Sequence, residues 1–532
     1  MKKLDQTQKM ILGVIVGLIG LAAITLLVWK ILIRKSASVP TPDYWPTDGW
    51  LSNPPEQQGL DSFRLAEGLL AIQQNHIPVH SLMIIINGYV VVGANFYPYD
   101  GKSPHSLGSI NKALITTLIG IAVNQGKLSP DDTMVSFFPG YTIANRDAEK
   151  DRITVRDLLV MSSGMECVGL PSEATQREME ASQNWVQFAL DRPAVNTPGS
   201  TFVYCGPDMH LLSAILQVAT GMTALEFGQE YLFEPLGFQA VLWPSDQQGV
   251  NKGAGNVRLF PMDMAKLGFL YLHQGQWDGN QILPSAWVEN ALQPHSKNSG
   301  DPYGYGWRIN NGEIGYEFYA EGMGGQRILV IPGLNTILVT TGGGFDIDQV
   351  IPLLTPALVD ASHALPANPA GVTELAAAIV SLSQPPAPLS EVSLPEITHV
   401  ISGKVIELDQ NPLQIRSLSL EFNGTAEATV QFTFGDNSQS PLAAIGLDGV
   451  FRNTTGVGVD CILRSPLETE SQRVGLRGMW TDAQTFVLEY DTLTNRYVYR
   501  MGIRFDGDGV TIDLSEQVYG DHVTFIGVVQ NP

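Results

Sequence analysis

The stretch from Ser81 to Tyr97, SLMIIINGYVVVGANFY, is two apolar, β-branched runs that meet at Asn87-Gly88. That dipeptide is a strong hairpin signal, because the two-residue turn needs positive φ at both central positions and Asn and Gly adopt it most readily. The chain is therefore committed early to an antiparallel sheet. From Ser109 the period changes: ITVRDLLVMSSGM, MHLLSAILQVATG and MDMAKLGFLYLHQG carry apolar residues at three- and four-residue spacing, as buried helices do. Strands return at GYGWRIN and QRILVIPGLNTILVTTGG. Strands, then helices, then strands of one sheet describe an α+β domain and not a βαβ series, and the domain is expected to span residues 41–364.

Beyond it, residues 365–395 are rich in Pro and Ala around one short helical stretch and read as a linker. Residues 396–532 alternate strand patterns with Gly, Asn and Asp, which predicts a separate all-β domain, a small barrel or a sandwich. At the other end, Met10 to Trp29 is 20 residues without a charge, the length a helix needs to cross a bilayer. The run is longer than the apolar core of a secretory signal and no A-x-A site follows. Residues 1–40 are thus expected to form an uncleaved transmembrane anchor and a Pro/Ser-rich stalk. Lys2, Lys3 and Lys9 on one side balance Lys30, Arg34 and Lys35 on the other, so charge does not set the orientation. The formal charge of −22 lies outside this segment, and such a surface repels phosphate backbones, which excludes nucleic acid as a partner.

HSLGSINKALITTLIGIAVNQGKL places Ser109 and Lys112 three residues apart at the start of an apolar helix, on one face and about one turn apart. A serine hydroxyl becomes a nucleophile only when a neighbour takes its proton, and a desolvated lysine can do so. It is the chain's only Ser-x-x-Lys. Gly-x-Ser-x-Gly does not occur, which argues against the nucleophile-elbow hydrolases. The nine histidines show no metal-ligand spacing, and His76 and His80, flanking Pro78, read as surface residues. No cofactor motif occurs, and acyl transfer by serine requires none.

In order along residues 60–345, the blocks SLGSINKALITTLIGIAVNQGKLSPDDTMVSFFPGY, ITVRDLLVMSSGM, PGSTFVYCGPDMHLLSAILQVATGMTALEFGQEYLFEPLGF and GAGNVRLFPMDMAKLGFLYLHQGQWDGNQILP resemble the serine β-lactamase and penicillin-recognising superfamily. Its class C-like branch of esterases, D-amino-acid peptidases and 6-aminohexanoate-dimer hydrolases is the most similar. The resemblance implies a β-lactamase/transpeptidase-like fold in which Ser109 is acylated, Lys112 receives its proton, and Tyr204 shuttles a proton to the leaving group. Backbone N–H groups of Ser109 and Met323 would form the oxyanion hole. Gly206, Glu321, Gly322 and Gly324 would border the substrate, with the glycines, Gly325 included, permitting close approach.

Two positions depart from the family pattern. Gly206 replaces the asparagine of Tyr-x-Asn, so an amide that helps hold substrate and lysine is missing. Ala320-Glu321-Gly322 replaces the last element, so the lysine that meets the carboxylate of β-lactams and D-Ala peptides is also missing. Cys167 and Cys205 would both border the cleft in the implied fold. A disulfide between them would fit an extracytoplasmic, oxidising compartment, and two buried thiols fit the spacing equally well. The expectation is a membrane-anchored, extracytoplasmic serine hydrolase of carboxylic esters or linear amides, including 6-aminohexanoate-type oligomers. The alternatives are a catalytically silent receptor or envelope scaffold and a D-Ala peptidase or β-lactamase. The partner is then a small-molecule ester, amide or peptide.

Overall fold

A computed structural model describes residues 39–296, 302–312, 315–455, 473–518 and 520–530. The Met10–Trp29 segment and Cys461 lie outside them. Val79–Ile86 and Tyr89–Asn95 form the expected hairpin, with φ of 53° at Asn87 and 83° at Gly88. Four later strands complete an antiparallel sheet in the order Tyr89–Asn95, Val79–Ile86, Thr336–Gly342, Gln326–Ile331, Gly315–Gly322, Arg308–Gly312. Val79–Ile86 pairs directly with Thr336–Gly342, Met83 opposite Val339, and the segment between the hairpin and Arg308 joins the two edge strands of the sheet.

Period-two alternation gives the sheet two apolar faces. Met83, Ile85, Ile328, Val330, Ile337 and Val339 join one core with the helices Asn111–Asn124, Gly206–Thr220 and Pro261–Leu272. Leu82, Ile84, Leu329, Ile331 and Leu338 join another, under the helix Ser62–Gln74, whose N-cap Asp61 accepts from Arg64 N–H. The Pro/Ala-rich segment contributes to that second core: its Pro369–Leu382 helix buries Leu375, Ala378 and Leu382 there, so this part of the expected linker is a packed outer layer.

The C-terminal strands from Val405 to Val529 form one sheet that closes where Gly446 pairs with Arg477, giving a nine-strand barrel with Arg452–Thr455 added at its rim. Closure decides between the two expected architectures in favour of the barrel. Along Val498–Asp506 the alternation is clear, with Tyr499, Met501, Ile503 and Phe505 inside and Arg500 and Arg504 outside.

The barrel is docked on the first domain. Arg473 makes two 2.9 Å bonds to the carboxylate of Asp100, and Phe451 N–H donates to Tyr97 Oη at 2.7 Å. The Arg473–Asp100 pair is partly exposed and contributes about 1 kcal/mol or less. The turn between strands Thr485–Thr492 and Val498–Asp506 also meets the first domain, Thr494 O accepting from Ser106 N–H at 2.9 Å.

Candidate active site

Ser109 sits in a 3-10 turn, Gly108–Ile110, that leads into the Asn111–Asn124 helix. The backbone before it is held from two sides: Leu107 N–H donates to Val257 O, and Ser106 N–H donates to Thr494 O of the barrel, both at 2.9 Å. Lys112, one helical turn on, is 1% exposed. Its Nζ donates to Ser109 Oγ at 2.9 Å and to Ala254 O at 2.7 Å. Asn111, between them in sequence, donates through Nδ2 to Lys252 O and Gly253 O at 2.7 and 2.8 Å, which fixes the loop that presents Ala254. Sequence reasoning missed Asn111 and Ala254; their roles depend on a loop 141 to 142 residues away.

Tyr204 completes the cluster. Its ring lies 4.7 Å from Lys112 Nζ. Burial holds the phenol above its usual range, and a hydrogen bond with Ser109 pulls the other way. The residue after it, Cys205, is bonded to Cys167 with Cα atoms 6.1 Å apart, and this bridge ties the Gly169–Leu170 segment to Tyr204. Gly206 opens the Gly206–Thr220 helix, and a Cβ built on it would lie 2.2 Å from Gln176 Oε1. The Gln176 amide therefore lies against the position where the family pattern has an asparagine side chain.

The end of the Gly315–Gly322 strand meets Ser109 backbone to backbone. A Cβ on Gly322 would lie 2.1 Å from Leu107 O and 3.1 Å from Ser109 N, and a Cβ on Gly108 would lie 3.4 Å from Met323 N. Only glycine at 322 allows this approach, which sets the Gly322–Met323 backbone against the Ser109 turn. Gly324 and Gly325 both have positive φ and line the cleft beside them.

The cleft encloses about 770 Å³ and is lined by Ser109, Tyr204, Glu321 and the glycine strand, with Leu170 and Glu173 on one side and Asp346–Gln349 on another. Gln517 and Val518, from the barrel, form part of its wall. Ala320 is buried in the apolar core and does not face the cleft. Positive charge is present beside Glu321, where the sequence by itself locates none. Arg308 and Arg327, on the strands flanking Gly315–Gly322, both pair with Glu321, Arg327 at 3.4 Å, and the Arg308 guanidinium lies 5.9 Å from the Tyr204 ring. Strand pairing creates this arrangement, so no local pattern announces it. His80 is also corrected: it is 5% exposed, and it bonds to His105 at 2.9 Å. It lies on a strand buried on both faces, which overrides the neighbouring proline as a surface signal.

The family model for Beta-lactamase matches residues 63–342. The chain is 23% identical over 297 residues to the 6-aminohexanoate-dimer hydrolase of Paenarthrobacter ureafaciens, covering 52% of this chain and 74% of that one. It is 23% identical over 277 residues to protein flp of Staphylococcus aureus, covering 46% and 54%. Among solved structures, the octameric penicillin-binding protein homologue from Pyrococcus abyssi shares 18% identity at a TM-score of 0.46, over 87% of this chain and 99% of that one. With more than half of its residues inside the matched span, the chain belongs to the Beta-lactamase family, whose members are generally serine hydrolases.

Proposed function

We propose that the protein is a serine hydrolase that cleaves carboxylic esters or linear amides through an acyl-Ser109 intermediate. The observation that carries this reading is the 2.9 Å contact between Lys112 Nζ and Ser109 Oγ at a cleft that Tyr204 and Met323 also line. Ser109 Oγ bonds to the carbonyl carbon while its proton passes to Lys112 Nζ, and the oxyanion rests on the N–H groups of Ser109 and Met323. As the bond to the leaving group breaks, the proton moves through Tyr204 to that group. Water then releases the acid by the same path in reverse. The raised phenol pKa supports Tyr204 as a protonated donor at neutral pH.

For substrate class, small esters and linear amides such as 6-aminohexanoate-type oligomers are favoured over D-Ala peptides and β-lactams. Ala320 stands in place of the carboxylate-reading lysine, and Glu321 already pairs with both nearby arginines. Faster cleavage of a D-Ala-D-Ala peptide than of simple esters would overturn that preference. The Cys167–Cys205 bridge supports an oxidising compartment, and the uncharged run Met10–Trp29 supports an anchored, extracytoplasmic enzyme. Recovery of the full chain from the soluble cytoplasmic fraction would oppose this location.

The deciding test compares wild type with Ser109→Ala, using a fluorophosphonate probe and a p-nitrophenyl ester, followed by intact mass. One adduct and ester turnover, both lost in the variant, are expected. A folded wild type that takes no adduct would point instead to a binding protein of the same fold.

A further inference from the structure

The barrel reaches the back of the oxyanion hole through one residue. Thr492–Val498 forms a turn closed on itself: Thr492 Oγ1 donates to Tyr497 O at 2.6 Å and Asn495 N–H to Thr492 O at 2.9 Å. Asn495, at 0% exposed, and Arg496, at 5%, are buried where this turn meets the first domain. The Arg496 side chain runs behind the glycine strand, with Cβ and Cδ 3.1 and 3.4 Å from where a Gly324 Cβ would lie. Its guanidinium ends beside the serine turn. The point that a Gly108 Cβ would occupy lies 3.5 Å from an Arg496 Nη1 and 3.4 Å from Met323 N. Nη1 is anchored on Asn256 Oδ1 at 3.4 Å and Nη2 on Tyr497 Oη at 2.9 Å. Asn256 belongs to the loop whose Ala254 carbonyl holds Lys112.

We propose that Arg496 is a positioning residue of the hydrolase site, supplied by the C-terminal barrel, which places a buried positive charge behind the oxyanion hole. An arginine stays charged at every relevant pH. In a site of low dielectric, a fixed charge a few ångströms from a developing oxyanion stabilises the transition state more than the neutral ground state, and it needs no reorganisation. The neighbouring backbone contact, Ser106 N–H to Thr494 O, fixes the segment that carries the Ser109 donor. The catalytic unit is then both domains together.

This inference rests on the proposed acyl-serine reaction, and the test separates the two. Full-length wild type, Arg496→Met, Arg496→Lys and Asn256→Gly are assayed for p-nitrophenyl ester turnover, for Ser109 labelling by fluorophosphonate and for inhibition by an arylboronic acid. Arg496→Met should lower kcat by about tenfold or more, weaken the boronic acid in parallel and change KM less than about twofold. Arg496→Lys should recover most of the loss. Asn256→Gly suits the positive φ of 72° at that position, removes the Nη1 partner of the guanidinium, leaves the barrel intact and should give an intermediate loss even if Arg496→Met does not fold. Folded Arg496→Met with wild-type kcat, Lys no better than Met, or Asn256→Gly without effect would overturn the proposal while labelled wild type leaves the hydrolase reading standing. Unlabelled wild type would overturn both.

Discussion

Tyr204 and Gly206 carry the residue-scale consequences. Because burial keeps the Tyr204 phenol protonated, its proton matters most when the leaving group is a poor one. Tyr204→Phe should therefore lower kcat/KM, which reports acylation, for an ethyl ester by about 10²-fold or more, and much less for a p-nitrophenyl ester, whose phenolate departs unaided. Equal losses on both esters would remove Tyr204 from that role. Gly206→Asn would restore the family's residue but sets its Cβ against the Gln176 amide. The clash is with the end of a flexible side chain, so the expected cost is about 1 kcal/mol, relieved when Gln176→Ala is added. A double-mutant cycle by urea denaturation measures it, and additive losses would show that the two do not meet.

At the scale of elements, the site depends on the serine turn and the Gly315–Gly322 strand touching without side chains between them. Gly322→Ala would place a methyl 2.1 Å from Leu107 O, a backbone atom that cannot swing aside. The variant should lose about 3 kcal/mol or more of stability, or open the strand and abolish fluorophosphonate labelling of Ser109. A stable, fully labelled variant would mean that the strand does not need this approach. The Asn111–Asn124 helix, buried almost all round, makes the opposite demand: it has no polar face to give way, so Ser109 and Lys112 are presented by a rigid element.

At the scale of the molecule, the interface between the barrel and the first domain includes a buried histidine pair. His80 Nδ1 and His105 Nε2 share a hydrogen bond, and His105 Nδ1 donates to Ser106 O, one residue along from the Val257 contact and on the residue whose N–H meets Thr494. Burial lowers the His80 pKa to about 4 and holds His105 well below its usual value. The unfolded chain therefore binds more protons between about pH 6.5 and 4, and stability from these groups is lost as pH falls through that window. Asp208 and Asp491, raised to about 7 by burial, act in the opposite direction, so the contribution is read as a difference. From pH 7 to 4, wild type should lose about 2–3 kcal/mol relative to His80→Gln, measured from urea midpoints. Parallel pH curves would show that His80 does not titrate with folding.

The hairpin, the order of strand and helix segments, the Ser109–Lys112 pairing and the all-β C-terminal domain were legible because each is local: turn chemistry, side-chain period and i,i+3 spacing act within a few residues. Tyr204 and Met323 came from family resemblance, and the structure places both on the cleft that Ser109 lines. Closure of the barrel, the burial of His80, the Arg308–Glu321–Arg327 group, the Gln176 amide at Gly206 and the reach of Arg496 were decided by tertiary structure alone. Each joins residues that lie from a few positions to several hundred apart through strand pairing or docking, and the energy of such contacts depends on what is buried against what, which no window of sequence contains.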